Sequence, residues 1–98
     1  MKLWVDDVRP APKGWVWARG YKAAMRLLNE YDWDFDIISL DHDLGGTKTG
    51  YDLLCIIERR AYEYQNYKPF IGIHTMNMPA RAKMAKVAEK LNARRLKR

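Results

Sequence analysis

The stretch FDIISL, residues 35–40, sets the narrowest limits on how this chain can fold. It is a near-continuous apolar run, and such runs belong to parallel sheets whose strands are buried on both faces. Helical patterns flank it. From Gly20 onward, Ala24, Leu27, Leu28 and Tyr31 follow i, i+3, i+4, i+7, one face of an amphipathic helix. After LGGTKTG the pattern returns in Leu53, Leu54, Ile57, Ala61 and Tyr64, with Thr49 and Asp52 spaced as a capping box. Pro69 precedes another short strand, Phe70–Ile73. Pro79 fits the first turn of a last helix striped by Met84, Val87, Ala88 and Leu91. KLWV, residues 2–5, is the first β-prone run. The alternation implies an α/β domain built on a mostly parallel sheet.

One joint resists this pattern. Only about eight residues lie between the first strand and Trp15-Val16-Trp17, whereas a parallel crossover takes about a dozen or more. That strand is therefore either an oddly connected parallel edge strand or an antiparallel one. Trp15 and Trp17, two positions apart, would share one face of it.

Three strands end in chemistry. The first runs into Asp6-Asp7, the central one into Asp41-His42-Asp43, and the last into His74-Thr75-Met76-Asn77. In open α/β sheets ligands bind beyond the carboxyl ends of the strands, so parallel neighbours would gather all three clusters on one rim. Carboxylates brought together repel unless a cation joins them, and Mg²⁺ or Mn²⁺ suits such oxygen donors. Asp6, Asp7, Asp41 and Asp43 are the candidate metal ligands. Asp41, His42 and His74 are the candidate catalytic residues, because imidazoles can move protons near neutral pH. Two helices begin on this rim, near Gly50 and Pro79, and helix starts attract phosphate. Arg9, Thr49, Gly50, Thr75 and Asn77 are the candidate phosphate-binding residues. GGTKTG lacks the spacing of a P-loop, and no ligand spacing matches a zinc motif.

Composition narrows the class. The chain has 98 residues, 48% hydrophobic and 31% charged, as expected of one soluble domain spanning residues 1–98. No apolar run is long enough for a membrane span. MKLWVDD turns acidic too early for a signal peptide, so a cytoplasmic location is expected. The single cysteine, Cys55, has no internal disulfide partner. The net charge of +6 is concentrated at one end. Residues 81–98 hold eight Lys or Arg against one acid, while the first eighty hold ten basic and eleven acidic groups. The basic helix and tail, about residues 80–98, is a candidate nucleic-acid contact from Arg81 to Arg98.

These residues resemble a known family. An acidic pair after the first strand, Asp41 after a central strand and Thr75 after a later one follow the pattern of response-regulator receiver domains. LWVDDVRPAPKGWVW, SLDHDLG, TGYDLL and IHTMN are similar to a divergent branch, the cyclic-phosphate processing receiver-like domains, over residues 3 to about 85. The resemblance implies a small flavodoxin-like three-layer sandwich. The fifth strand of a receiver, its lysine and its first helix have no counterpart, which leaves a truncated four-stranded sheet. It also implies acids that bind Mg²⁺. The expected activity is metal-dependent hydrolysis of a cyclic or terminal phosphate on a nucleotide or RNA end. The alternatives are a signalling module phosphorylated at Asp41, and a binding module that uses the basic C-terminal helix on nucleic acid or protein.

Overall fold

The computed structural model describes residues 1–96. The elements are β1 (Lys2–Val5), β2 (Val16–Ala18), α1 (Tyr21–Glu30), β3 (Ile37–Leu40), α2 (Gly50–Glu63), β4 (Phe70–Ile73) and α3 (Met78–Ala93), followed by a 3-10 turn at Arg94–Leu96. The four strands form one sheet in the order β2-β1-β3-β4, and every neighbouring pair is parallel. This is the expected receiver-like α/β fold, with four strands among the described residues. Among the described residues, no helix is long and apolar enough to cross a membrane.

Strand alternation decides the two faces. Leu3 and Val5 of β1, Ile38 and Leu40 of β3 and Ile71 of β4 are buried. They join Leu28 of α1, Leu53, Leu54 and Ile57 of α2, and Met84 and Leu91 of α3 in one core. All three helices therefore pack on the same side of the sheet, so the described residues make two layers rather than the three-layer sandwich that the resemblance implied. Each such side chain removed from water stabilises the fold by about 1.5–3 kcal/mol. The helical stripes end slightly early: Tyr31 and Tyr64, the last positions of two patterns, are helix C-caps and stand exposed.

The opposite face carries Trp4, Trp17 and Ser39 in register. Its cover is the β1–β2 loop and a set of indole rings rather than a helix. Trp15 meets Trp4 edge-on at 5.8 Å between centroids. The Trp4 Nε1–H donates to the Arg9 carbonyl at 3.0 Å, and the Trp17 Nε1–H to the Asp6 carbonyl at 2.8 Å. These bonds pin the loop across that face. β2 starts at Val16, one residue later than expected, and runs parallel to β1. A crossover without a helix is possible because both strands are short. Ten extended residues reach about 33 Å. Returning along a strand this short needs about 13 Å, plus about 5 Å sideways.

β4 is the other edge. The Asn92 side chain of α3 accepts from the Ile71 N–H at 2.7 Å and donates to the Ile71 carbonyl at 2.9 Å. Arg95 donates to the carbonyls of Lys68 and Asp36 at 2.6 and 3.3 Å, which ties the turn after α3 to the bottom of the sheet.

Candidate metal and phosphate site

Register brings the polar clusters together. Val5 pairs with Leu40, and Leu40 with Ile73, so Asp6, Asp41 and His74 follow three strands that end level. Asp6, Asp7 and Asp41 each offer a carboxylate oxygen, all within 4.8 Å of one another. Asp43 stands apart from this group. Its side chain is 70% exposed and accepts from the His42 imidazole, 3.1 Å from Nδ1.

Asp6 is fully buried, and its lone pairs are heavily used. Oδ1 accepts from the backbone N–H groups of Val8 and Arg9 at 2.8 and 2.7 Å. Oδ2 accepts from Arg9 Nε at 3.0 Å and lies 3.1 Å from His74 Nε2. Burial alone would raise its pKa. The Arg9 and Val8 backbone donors, the Arg9 guanidinium and His74 together outweigh that and hold it below the usual carboxylate value. Arg9 also donates to the His74 carbonyl, and its Nη2 lies 3.8 Å from Asp41 Oδ2. The guanidinium thus reaches both Asp6 and Asp41 and offsets their repulsion.

His74 is held on every side. Nδ1 is 2.7 Å from the Ser39 hydroxyl, Nε2 is bound to Asp6, and the ring stacks on Trp4 at 3.8 Å between centroids, 5° from parallel. Its pKa is lowered, chiefly because burial disfavours the charged ring, although Asp6 pulls the other way. His42 is held at one end only. Its Nδ1 donates to Asp43 at 3.1 Å, Asn77 Nδ2 lies 3.5 Å from the same nitrogen, and its Nε2 has no partner among the described residues.

The remaining candidates have local duties. Thr49 is the N-cap of α2: its hydroxyl accepts from the Asp52 N–H at 3.3 Å, while the Asp52 carboxylate accepts from the Thr49 N–H at 2.8 Å. The Gly50 N–H donates to the His42 carbonyl at 2.8 Å. A Cβ on Gly50 would lie 1.8 Å from the Asp41 carbonyl oxygen, so only glycine lets α2 start this close to β3. Thr75 is 1% exposed and its hydroxyl accepts from the Asn77 N–H at 3.1 Å. Asn77 caps α3, accepting from the Ala80 N–H at 3.2 Å.

Trp4 and Ser39, which grip His74, were not among the sequence candidates. Their signal was faint: both sit inside strands, where a serine or a tryptophan passes for packing. The basic C-terminal segment is partly consumed by packing. Lys90 pairs with Glu58 at 3.2 Å, Lys83 sits over the Tyr51 ring at 4.0 Å, and Arg94 lies over Tyr62. Lys97 and Arg98, the end of the expected nucleic-acid contact, lie outside the described residues.

The donor set fits a hard divalent cation. Three carboxylates converge, and oxygen ligands of this kind suit Mg²⁺ or Mn²⁺ rather than zinc. Asp7 and Asp41 are only partly buried, so their oxygens are reachable from solvent, whereas those of Asp6 are shared with Arg9 and His74. No curated protein and no solved structure is measurably similar to the chain. A family model does match it, over residues 1–90, and its description is cyclic-phosphate processing receiver domain. That span contains every residue of the acidic group, both histidines and all four strands, and the chain belongs to the cyclic-phosphate processing receiver domain family.

Proposed function

We propose that the protein is a metal-dependent phosphoesterase that acts on a cyclic or terminal phosphate of a nucleotide or RNA end. The observation that carries this reading is the group of Asp6, Asp7 and Asp41 within 4.8 Å, with the His42 imidazole one residue from Asp41. Asp6, Asp7 and Asp41 would hold Mg²⁺ or Mn²⁺, with Asp43 acting through His42. When bound, the cation polarises a phosphoryl oxygen and lowers the pKa of water. Hydrolysis of a cyclic phosphate forms one P–O bond from water and breaks one P–O bond to the sugar. A proton leaves the water, and the departing sugar oxygen gains one.

The protein's own groups divide that work. His42, oriented through Nδ1 and with Nε2 unengaged, carries the proton. His74 has both nitrogens committed and its ring stacked, so it orients Asp6 rather than meeting substrate. Arg9 stands where its second nitrogen can face a phosphoryl oxygen beside Asp41. Thr75 and Asn77 shape the loop that positions His42, and Thr49 and Gly50 hold the start of α2 behind Asp41.

The test is a panel of cyclic nucleotides and RNAs ending in 2′,3′-cyclic phosphate, incubated with Mn²⁺ or with EDTA. Turnover should require the metal and fall at least about 100-fold in Asp41→Ala. Absence of turnover on the whole panel, or turnover indifferent to EDTA, would sink the reading. Acetyl phosphate should leave no stable acyl phosphate on Asp41; one that accumulates would favour the signalling alternative.

A further inference from the structure

A groove of about 760 Å³ runs beside the acidic group. One wall is Arg19–Ala23, running from the end of β2 into the first turn of α1, and the other is Leu44–Lys48, between β3 and α2. Its size is that of small-molecule sites, about 300–1,000 Å³. It adjoins the candidate metal site directly. Gly45, on its wall, has φ +78°, and a Cβ there would lie 3.0 Å from Asp7 Oδ2. Register places it at the same level: Ala18 pairs with Val5, so Arg19 follows β2 as Asp6 follows β1.

The lining has two chemistries. Tyr21, Ala23 and Leu44 provide apolar surface. Arg19, Lys22 and Lys48 are cations on exposed residues, and none meets a carboxylate within ion-pair distance among the described residues. Arg19 rests on the Trp17 ring, its guanidinium carbon 4.6 Å from the centroid, so it is braced. The near-neutral first eighty residues thus carry a local excess of positive charge directly beside a cluster of negative charge. A ligand matched to both has a metal-bound phosphate at one end, a nucleoside in the middle and a further anion at the other.

We propose that this groove seats the nucleoside and a second phosphate of the substrate, so that the preferred ligand is a nucleotide carrying a phosphate besides the one at the acidic group. The second phosphate is the 5′-phosphate of a free nucleotide or the 5′-phosphodiester of an RNA end. Arg19 and Lys48 would meet it from opposite walls, with Lys22 on the α1 side. The inference rests on the proposed function only for the location of the reacting phosphate.

Binding separates the two ideas. Calorimetry in Mg²⁺ would compare adenosine 3′-phosphate, adenosine 3′,5′-bisphosphate and the dinucleotide ApA with a 3′-phosphate. At least one of the two ligands with a second phosphate should bind about tenfold tighter than the monophosphate. That preference should shrink below about threefold in Arg19→Ala/Lys48→Ala and persist in Arg59→Ala, an exposed change on α2. A gain confined to the bisphosphate identifies a free nucleotide as the source, and an equal gain with the dinucleotide identifies an RNA end. Equal binding of all three ligands, no binding, or a preference that survives the double variant overturns the proposal. Preference without hydrolysis would end the hydrolytic reading alone, and hydrolysis without preference would end the groove alone.

Discussion

At the scale of single residues, the site is built around a charge that the fold already balances. Asp6 keeps its negative charge in full burial because four donors surround it, one of them the Arg9 guanidinium that also faces Asp41. Arg9→Gln removes a cation from among three carboxylates. Mn²⁺ should then bind several-fold tighter, while turnover falls about tenfold or more for want of the phosphate partner. Titration of Mn²⁺ by its paramagnetic relaxation would show the first effect and a rate assay the second. The two histidines should also separate. Groups that orient metal ligands typically cost 10–100-fold in metal affinity when removed. His74→Ala should lose affinity on that order and keep the shape of the pH–rate profile, whereas His42→Ala should flatten one limb of it. The positions of Asp6, Asp41 and His74 on one rim were readable from where three apolar runs stop. The unlike surroundings of the two histidines were not, because they depend on Ser39 and Trp4, neighbours on other strands that no local spacing announces.

At the scale of elements, each helix end does a defined task. The start of α2 lies so close to β3 that Gly50→Ala would drive a methyl into the Asp41 carbonyl. It should lower stability by about 3 kcal/mol or more, in the range of severe single substitutions, and displace Asp41 as it does so. A lower denaturation midpoint together with weaker Mn²⁺ binding would show both. Near the other end of α3, Asn92→Ala leaves the Ile71 N–H and carbonyl without partners. Each unsatisfied buried group costs about 1–3 kcal/mol, offset here by whatever water reaches the edge. The expected loss is about 2 kcal/mol in denaturant unfolding, with faster hydrogen exchange at the Ile71 amide. The Thr49–Asp52 capping box was visible as a spacing and is formed. The parallel direction of β2 was not visible, since a ten-residue loop without a helix can return only because both strands are short.

At the scale of the whole molecule, pH should act through the buried centre of the site. The His74 pKa is lowered in the folded protein, so the unfolded chain takes up that proton first. Metal-free stability should begin to decline as pH falls through about 6.5, the ordinary histidine value. The Asp6 pKa is lowered as well, so its contribution is present above the unfolded value of 3.8 and lost as pH falls through the depressed one. Urea midpoints measured in EDTA from pH 7.5 to 3 should show the two declines in that order, and His74→Asn should remove the upper one. The four-stranded receiver-like plan was legible because its apolar runs and helical stripes alternate along the whole chain. That all three helices share one side, with a loop and tryptophans across the other, followed only from the packing. The Asn92 amide has a consequence for the economy of the fold. Its oxygen and nitrogen present to Ile71 the acceptor and donor that the peptide groups of another strand would present. One side chain therefore does for Ile71 what a neighbouring strand would do, and this stretch of the β4 border is not open to adhesion by a second molecule.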